Sequence, residues 1–329
     1  MEHASSQFVG CHVFRVLLFP WHGVPMTSST NLMSVIEQFG TDDQCREALV
    51  QLRWPEGVTC PNCQSNKISH VAVRHIYDCD SCRYQFSVMT GTMFHDSHLP
   101  LRKWFYVVYL MTESRKGISA NQIKRMFGIN YKTAWYLCHR IRSAMAEANP
   151  GKLSGTVEVD ETYVGGKPRR GTGYHKRGRG TEKEIVIGIR QRGGDLRFFH
   201  AQDVKSGTLA KYIKENVSQD VDVIMTDDLC VYPNAIAKAG VLGEHQAINH
   251  SAGIYAIGDL HTNTIESAFS LLKRGIIGTW HRISAKHLQA YLDEMCFRFD
   301  NRKNPYLFRD ALLRLLQAEH LEYKQLVAA

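Results

Sequence analysis

Residues 157–163, Val-Glu-Val-Asp-Glu-Thr-Tyr, decide how this chain folds. Apolar and polar residues alternate there with the two-residue period of a strand, so Val157 and Val159 face a core while Glu158 and Asp160 share the other face. An acidic group on a packed strand needs a partner, and a metal ion is one. Working outward, Glu184 to Arg190, Leu196 to Ala201 and Asp222 to Thr226 carry the Val, Ile and Phe of further strands, with Gly193-Gly194 as a hairpin turn. Apolar residues then recur at helical spacing in Thr208 to Val217, Asn234 to Ala239, Thr264 to Arg274, Ala285 to Phe299 and Leu307 to Glu319. Three consecutive strands followed by strands alternating with helices imply an α/β domain of about 150 residues.

Two more acidic residues stand where such a domain holds ligands. Asp227 closes the apolar strand Val223-Ile-Met-Thr226, and open α/β sheets place ligands at the carboxyl ends of strands; Asp228 is its neighbour. Glu266 lies near the start of the helix Thr264 to Arg274, with Lys273 on the same face about 10 Å further along the axis. Each has a plainer alternative. Asp227 can begin a turn, Asn263-x-x-Glu266 resembles a capping box, and Glu158 or Glu161 can pair with the basic loop that follows. That loop, from Gly165 to Lys183, carries Lys167, Arg169, Arg170, Lys176, Arg177, Arg179 and Lys183 against Glu182 alone, a composition suited to gripping phosphates.

Upstream, Cys60-Pro-Asn-Cys63 and Cys79-Asp-Ser-Cys82 have the spacing of a four-thiolate zinc ribbon. A redox pair is the alternative, and His70 or His75 between the knuckles offers a substitute ligand. Short β-prone pieces surround the knuckles at His75 to Tyr77 and Tyr84 to Val88. The pattern turns helical from Leu101 to Met145, with breaks at Lys116-Gly117 and Gly128. Ser119 reads as the cap of a first helix, Gly128-Ile129-Asn130 as a turn, and Tyr131 to Ile141 as a second helix, together a helix-turn-helix. Lys132, Thr133, Tyr136, His139, Arg140 and Arg142 give that second helix its polar and basic groups, of which Lys132, Thr133 and Arg140 are the candidate DNA contacts; Ala134, Leu137, Cys138 and Ile141 form its apolar stripe. An αα-hairpin without DNA contacts has the same pattern.

The composition agrees with a polyanionic partner. Of 329 residues, 40 are Lys or Arg and 32 Asp or Glu, a formal charge of +8, with a pI near 9.0. Nine cysteines, four of them in the knuckles and the others scattered, fit a reducing compartment. No run of 18 apolar residues exists, so a membrane span is not expected. The nearest approach, residues 11–19, lacks the basic start and cleavage site of a signal peptide. A simpler account is that translation starts at Met26 or Met33.

Three runs in order carry a resemblance: Phe86-Ser-Val-Met-Thr-Gly-Thr-Met-Phe-His-Asp96, Val159-Asp-Glu-Thr-Tyr-Val-Gly-Gly-Lys167 and His261-Thr-Asn-Thr-Ile-Glu-Ser-Ala-Phe-Ser-Leu-Leu-Lys-Arg-Gly275. The chain, from about residue 36 to 315, resembles the bacterial insertion-sequence transposases with an N-terminal zinc ribbon and an ISXO-like DDE domain. The resemblance implies a ribonuclease H-like fold from residue 151, the acidic triad on Asp160, Asp227 and Glu266, and the downstream lysine on Lys273.

The expected architecture is therefore multidomain, α+β and α/β: an N-terminal extension (1–35), a short helical segment (36–57), a zinc ribbon (58–97), a helix-turn-helix (98–149), a ribonuclease H-like mixed-sheet catalytic domain (150–300) and a C-terminal helix (301–329). The expected activity is metal-dependent DNA cleavage and strand transfer at the ends of an insertion sequence, with a non-catalytic DNA-binding regulator or a hydrolytic two-metal nuclease as alternatives. Expected cofactors are two Mg²⁺ or Mn²⁺ ions on Asp160, Asp227 and Glu266, and one structural Zn²⁺ on the four cysteines. Expected partners are double-stranded DNA, as terminal repeats and target, and further copies of the chain in a dimer or larger assembly. The expected location is the cytoplasm, on the nucleoid when DNA-bound.

Overall fold

The computed structural model describes residues 31–147, 149–165, 183–248 and 261–328. Two helices open it, α1 (Leu32–Gln38) and α2 (Asp42–Arg53), each started by a capping box, Asn31 with Ser34 and Thr41 with Gln44. Helix α2 buries Cys45, Ala48, Leu49 and Leu52, the stripe its spacing predicts. Helix α1 begins inside the stretch read as unpatterned. Only Val35 and the following Phe39 anchor it in the core, too few apolar positions to register as a period.

A three-stranded antiparallel sheet follows, β1 (Ile68–Val71), β2 (Ile76–Cys79) and β3 (Gln85–Phe86). Then come α3 (Leu101–Glu113), α4 (Ala120–Phe127) and α5 (Tyr131–Met145). The cap of α4 and the turn after it are those read from the sequence, and the turn's Asn130 also caps α5. Ser119 accepts the Gln122 amide, Gly128 ends α4 at φ +61°, and the Asn130 side chain accepts the Thr133 amide at 2.8 Å. The far end of the chain, α10 (Leu307–Gln317) and α11 (Tyr323–Val327), returns to this region. Leu307, Phe308, Leu312 and Leu315 of α10 share one core with Phe39, Trp104, Phe105 and Ile141. Each such buried side chain contributes about 1.5–3 kcal/mol, so the helical N-terminal body depends on residues from both ends of the chain.

The second body is built on β4 (Thr156–Val164), β5 (Glu184–Gln191), β6 (Leu196–Ala201), β7 (Val223–Asp227) and β8 (Glu244–Ile248). The order is β6-β5-β4-β7-β8, with β4, β7 and β8 parallel and β5 antiparallel to both its neighbours, a ribonuclease H-like mixed sheet. Strand β8 is absent from the sequence reading because Glu244-His245-Gln246 lacks an apolar pattern; as an edge strand it needs little burial. One face carries α6 (Ser206–Asn216) and α7 (Tyr232–Ala239), packed on Val157 and Val159. The other carries α8 (Asn263–Gly275) and α9 (Ala285–Asp300), packed on Val164, Val186 and Phe198.

Gly188, opposite Asp160 in the β4–β5 register, determines how closely α8 approaches. A Cβ there would lie 2.7 Å from Phe269 and 2.8 Å from Ile265, so only glycine lets α8 settle on the sheet. Helix α9 serves both bodies: Leu288 and Leu292 belong to the sheet's core, while Phe297 belongs to the helical one. Between them Glu294, fully buried, meets Arg142 of α5 at 2.5 Å and Arg298 at 3.3 Å. Among the described residues no helix is long and apolar enough to cross a membrane.

Candidate active site and zinc centre

The two cysteine knuckles close on each other as their spacing predicts. In each, the second cysteine is followed by a residue at φ +60°, Gln64 or Arg83. The first cysteine's amide then bonds back across the turn, Cys60 to Ser65 O at 2.9 Å and Cys79 to Tyr84 O at 3.0 Å. The four sulfurs come together, with Cys60 3.7 Å from Cys82 and Cys63 3.5 Å from Cys79. A tetrahedral ion with Zn–S bonds of about 2.3 Å sets sulfurs roughly 3.8 Å apart, so the donor set fits one zinc. His70 and His75 are not in the group. Its core, Cys60, Cys79 and Phe86 with part of Trp54 and Tyr77, is too small to hold the sheet without a metal. Removing the metal with a strong chelator should therefore abolish amide protection across residues 60–86 while leaving α6–α9 folded. Hydrogen exchange checks this, and retained protection in metal-free protein would exclude a structural metal.

Helices α4 and α5, joined by a short turn, stand where a helix-turn-helix was expected, but α5 presents less of itself than its sequence promises. Tyr131 and Lys132 are exposed, Thr133 is half-buried, and Lys124 and Arg125 of α4 lie exposed nearby. Arg140, expected to face DNA, is instead 3% exposed. Its guanidinium donates to the carbonyls of Met93 and His95 and stacks over Trp104. His139 and Arg142 are buried as well. The reason is tertiary: the Met93–His95 segment and Trp104 of α3 cover Arg140, and α9 covers His139 and Arg142, so the basic groups there serve packing. Lys167, Arg169, Arg170, Lys176, Arg177 and Arg179 lie outside the described residues.

The acidic residues meet where β7 leaves β4. These strands pair only as far as Glu158 and Met225, whereas β4 continues against β5 to Val164. In the opening beyond, Asp160, Glu161 and Asp227 bring carboxylate oxygens within 4.8 Å of one another. Asp228, exposed, is not in this group. The Asp160 carboxylate accepts the Glu161 amide at 2.7 Å, and Asp227 accepts that of Leu229 at 3.2 Å. Tyr232, fully buried on α7, donates its hydroxyl to Glu161 at 2.8 Å.

Glu266, in the first turn of α8, is outside that trio but bounds the same cleft as Asp160, Glu161, Lys273 and Arg274. It is not the acid of a capping box: the N-cap is Thr262, which puts Asn263 inside the helix. Burial pushes the Asp160 carboxyl well above the ordinary aspartate range, and Glu161, Asp227 and Glu266 push it further. Burial also holds Lys273 below the ordinary lysine value. Clustered carboxylates at this density need a proton or a cation between them, and an all-oxygen donor set suits Mg²⁺ or Mn²⁺. Glu161 was missed as a member because strand alternation places it on the face opposite Asp160. The parting of β7 from β4, which draws the two together, has no local signature.

A ribonuclease H-like domain with a carboxylate-lined cleft thus follows a four-cysteine ribbon and a pair of helices joined by a short turn. Residues 152–300 match the ISXO2-like transposase domain and residues 40–85 the transposase zinc-ribbon domain. The chain is also 29% identical over 300 residues to an uncharacterized protein in transposable element ISH50 of Halobacterium salinarum, covering 87% of this chain and 99% of that one. Two solved assemblies, a pre-cleavage Mos1 transpososome and a Mos1 strand transfer complex, align at 9% identity with TM-scores of 0.25 and 0.29. They cover 65% and 64% of this chain and 79% and 74% of theirs, and agreement this low carries no argument. The chain belongs to the insertion-sequence transposases that join a zinc ribbon to an ISXO2-like transposase domain.

Proposed function

We propose that this transposase cuts DNA at the ends of its element and joins them to a target with two divalent ions held by Asp160, Asp227 and Glu266. The observation that carries the reading is the gathering of Asp160 and Asp227 at the parted strand ends, with Glu266 across the same cleft. When bound, Mg²⁺ or Mn²⁺ would activate the attacking oxygen and stabilise the leaving one in an in-line displacement. Asp160 feels the charge of Asp227 and of Glu266 together, so the three carboxylates would act as one cation-holding set. Tyr232 holds Glu161 by its hydroxyl and so limits where that carboxylate can turn. Lys273 and Arg274, on the helix that carries Glu266, line the cleft where a phosphodiester would lie and offset its charge.

The zinc ribbon and the exposed half of the helix-turn-helix, with Lys124, Arg125 and Lys132, read the terminal repeats in the cytoplasm. Two ends per element call for at least two copies of the chain. The test is a strand-transfer assay with terminal-repeat DNA and Mg²⁺, comparing the wild type with Asp227→Ala. Both nicked and joined products are expected from the wild type, and at least about a 100-fold loss of both in the variant, the cost of several kcal/mol of transition-state stabilisation. Cleavage without joining would make the protein a hydrolytic nuclease, and full activity in the variant would remove Asp227 from the site.

A further inference from the structure

Glu158 lies two residues before Asp160 on the same strand face, is wholly buried, and does not enter the carboxylate group. A charge in that position must be compensated by what surrounds it. One carboxylate oxygen accepts the Thr264 hydroxyl at 2.7 Å and the Ile265 amide at 2.9 Å. The other accepts Arg192 Nε at 2.8 Å and lies 3.5 Å from His261 Nδ1. Arg192 in turn donates to the His261 carbonyl at 2.7 Å, tying the approach to α8 to the end of β5.

The N-terminus of α8 thereby has an unusual cap. Its own N-cap, Thr262, makes no side-chain capping bond. The amide at the third helical position, which a local cap normally satisfies, bonds instead to a carboxylate on another element. A negative charge there also complements the helix dipole. The next residue in the chain is Glu266, whose own amide bonds to Thr262 O at 3.1 Å. Ile265, fully buried, sits over Gly188, and Gly188 registers with Asp160. Strand β4 thus carries both Asp160 and the anchor that fixes where Glu266 begins.

We propose that Glu158 is a positioning residue that sets Glu266 against Asp160, with Arg192 and His261 holding Glu158 in place. The proposal rests on reading Glu266 as a metal ligand. Groups that orient ligands from behind typically change metal affinity about 10–100-fold when replaced. Glu158→Gln should therefore weaken Mn²⁺ binding by about tenfold or more in calorimetric titration of the full chain, and raise the Mg²⁺ concentration needed for half-maximal cleavage in step. Thr264→Val, which removes one bond to the same carboxylate and leaves the core intact, should shift both in the same direction by a smaller factor and serves if Glu158→Gln fails to fold.

The decisive comparison places each substitution in a Glu266→Gln background. If Glu158 acts through Glu266, it has no further effect on Mn²⁺ affinity there. An unchanged affinity in the single variants, or an equal loss in both backgrounds, would overturn the proposal and leave Glu158 a purely structural ion pair. Wild-type metal affinity in Glu266→Gln alone would instead remove Glu266 from the metal site, a failure of the underlying reading that this arm reports separately.

Discussion

Asp160→Ala should lower strand cleavage and joining by about 1,000-fold or more while leaving the protein folded. Several kcal/mol of charge stabilisation at the reacting phosphate depends on the ions this residue is assigned, and each 1.4 kcal/mol is about a factor of ten. Stability should move the other way. In metal-free protein the Asp160 pKa is raised by burial and by Glu161, Asp227 and Glu266. A raised carboxyl contributes stability that is intact at low pH and is lost as pH climbs from the ordinary aspartate range through the raised value. Mg²⁺ should reverse that loss, because on the proposed reading it would bind the ionised form and displace the proton.

The gap between melting temperatures with Mg²⁺ and with a chelator should therefore widen as pH rises, and it should nearly close in Asp160→Ala. Scanning fluorimetry across a pH series reads both. A gap that ignores pH, or one that survives in the variant, would dissociate Asp160 from the metal.

Glu294→Ala should cost about 3–5 kcal/mol of unfolding free energy, read by urea titration, because it strands two buried guanidinium groups. Arg142 is 1% exposed and Arg298 6%, so water cannot reach either in its place. Arg142 stacks on Tyr291 with its guanidinium 3.9 Å from the ring centre, and Arg298 donates to the carbonyls of Ser114 and Arg115. The carboxylate therefore joins α5, α9 and the turn before α4, which ties the α4–α5 pair to the transposase domain. A loss under about 1 kcal/mol would mean the two bodies are held by apolar contacts alone. Arg142→Met with Glu294→Leu should recover only part of the loss, since an apolar pair replaces the Arg142 ion pair at little cost while Arg298 stays buried without its carboxylate.

Where the sequence was informative, its signals were local. Ser119 caps α4 because an oxygen three residues before an amide can reach it in any fold. Gly128 ends α4 because its left-handed backbone suits glycine. Val157 and Val159 face the core as the two-residue period requires. Polarity misled where packing overrode it. Arg140 and Arg142 lie on the polar side of α5 by spacing, yet the Met93–His95 segment with Trp104 of α3 covers the first and α9 the second. Helical periodicity specifies which residues share a face and leaves open what covers that face.

The four-cysteine cluster was determined by the sequence alone, since two knuckles joined by a short loop have few ways to aim four sulfurs at one another. The carboxylate site was decided by tertiary structure. Asp160, Asp227 and Glu266 come from a central strand, its parallel neighbour and a helix across the sheet, and strand pairing sets their separation. The parting of β7 from β4 admits Glu161, the smallness of Gly188 lowers α8, and Glu158 fixes where that helix starts. Each is a contact between residues far apart in the chain, and such contacts form only when the whole sheet closes.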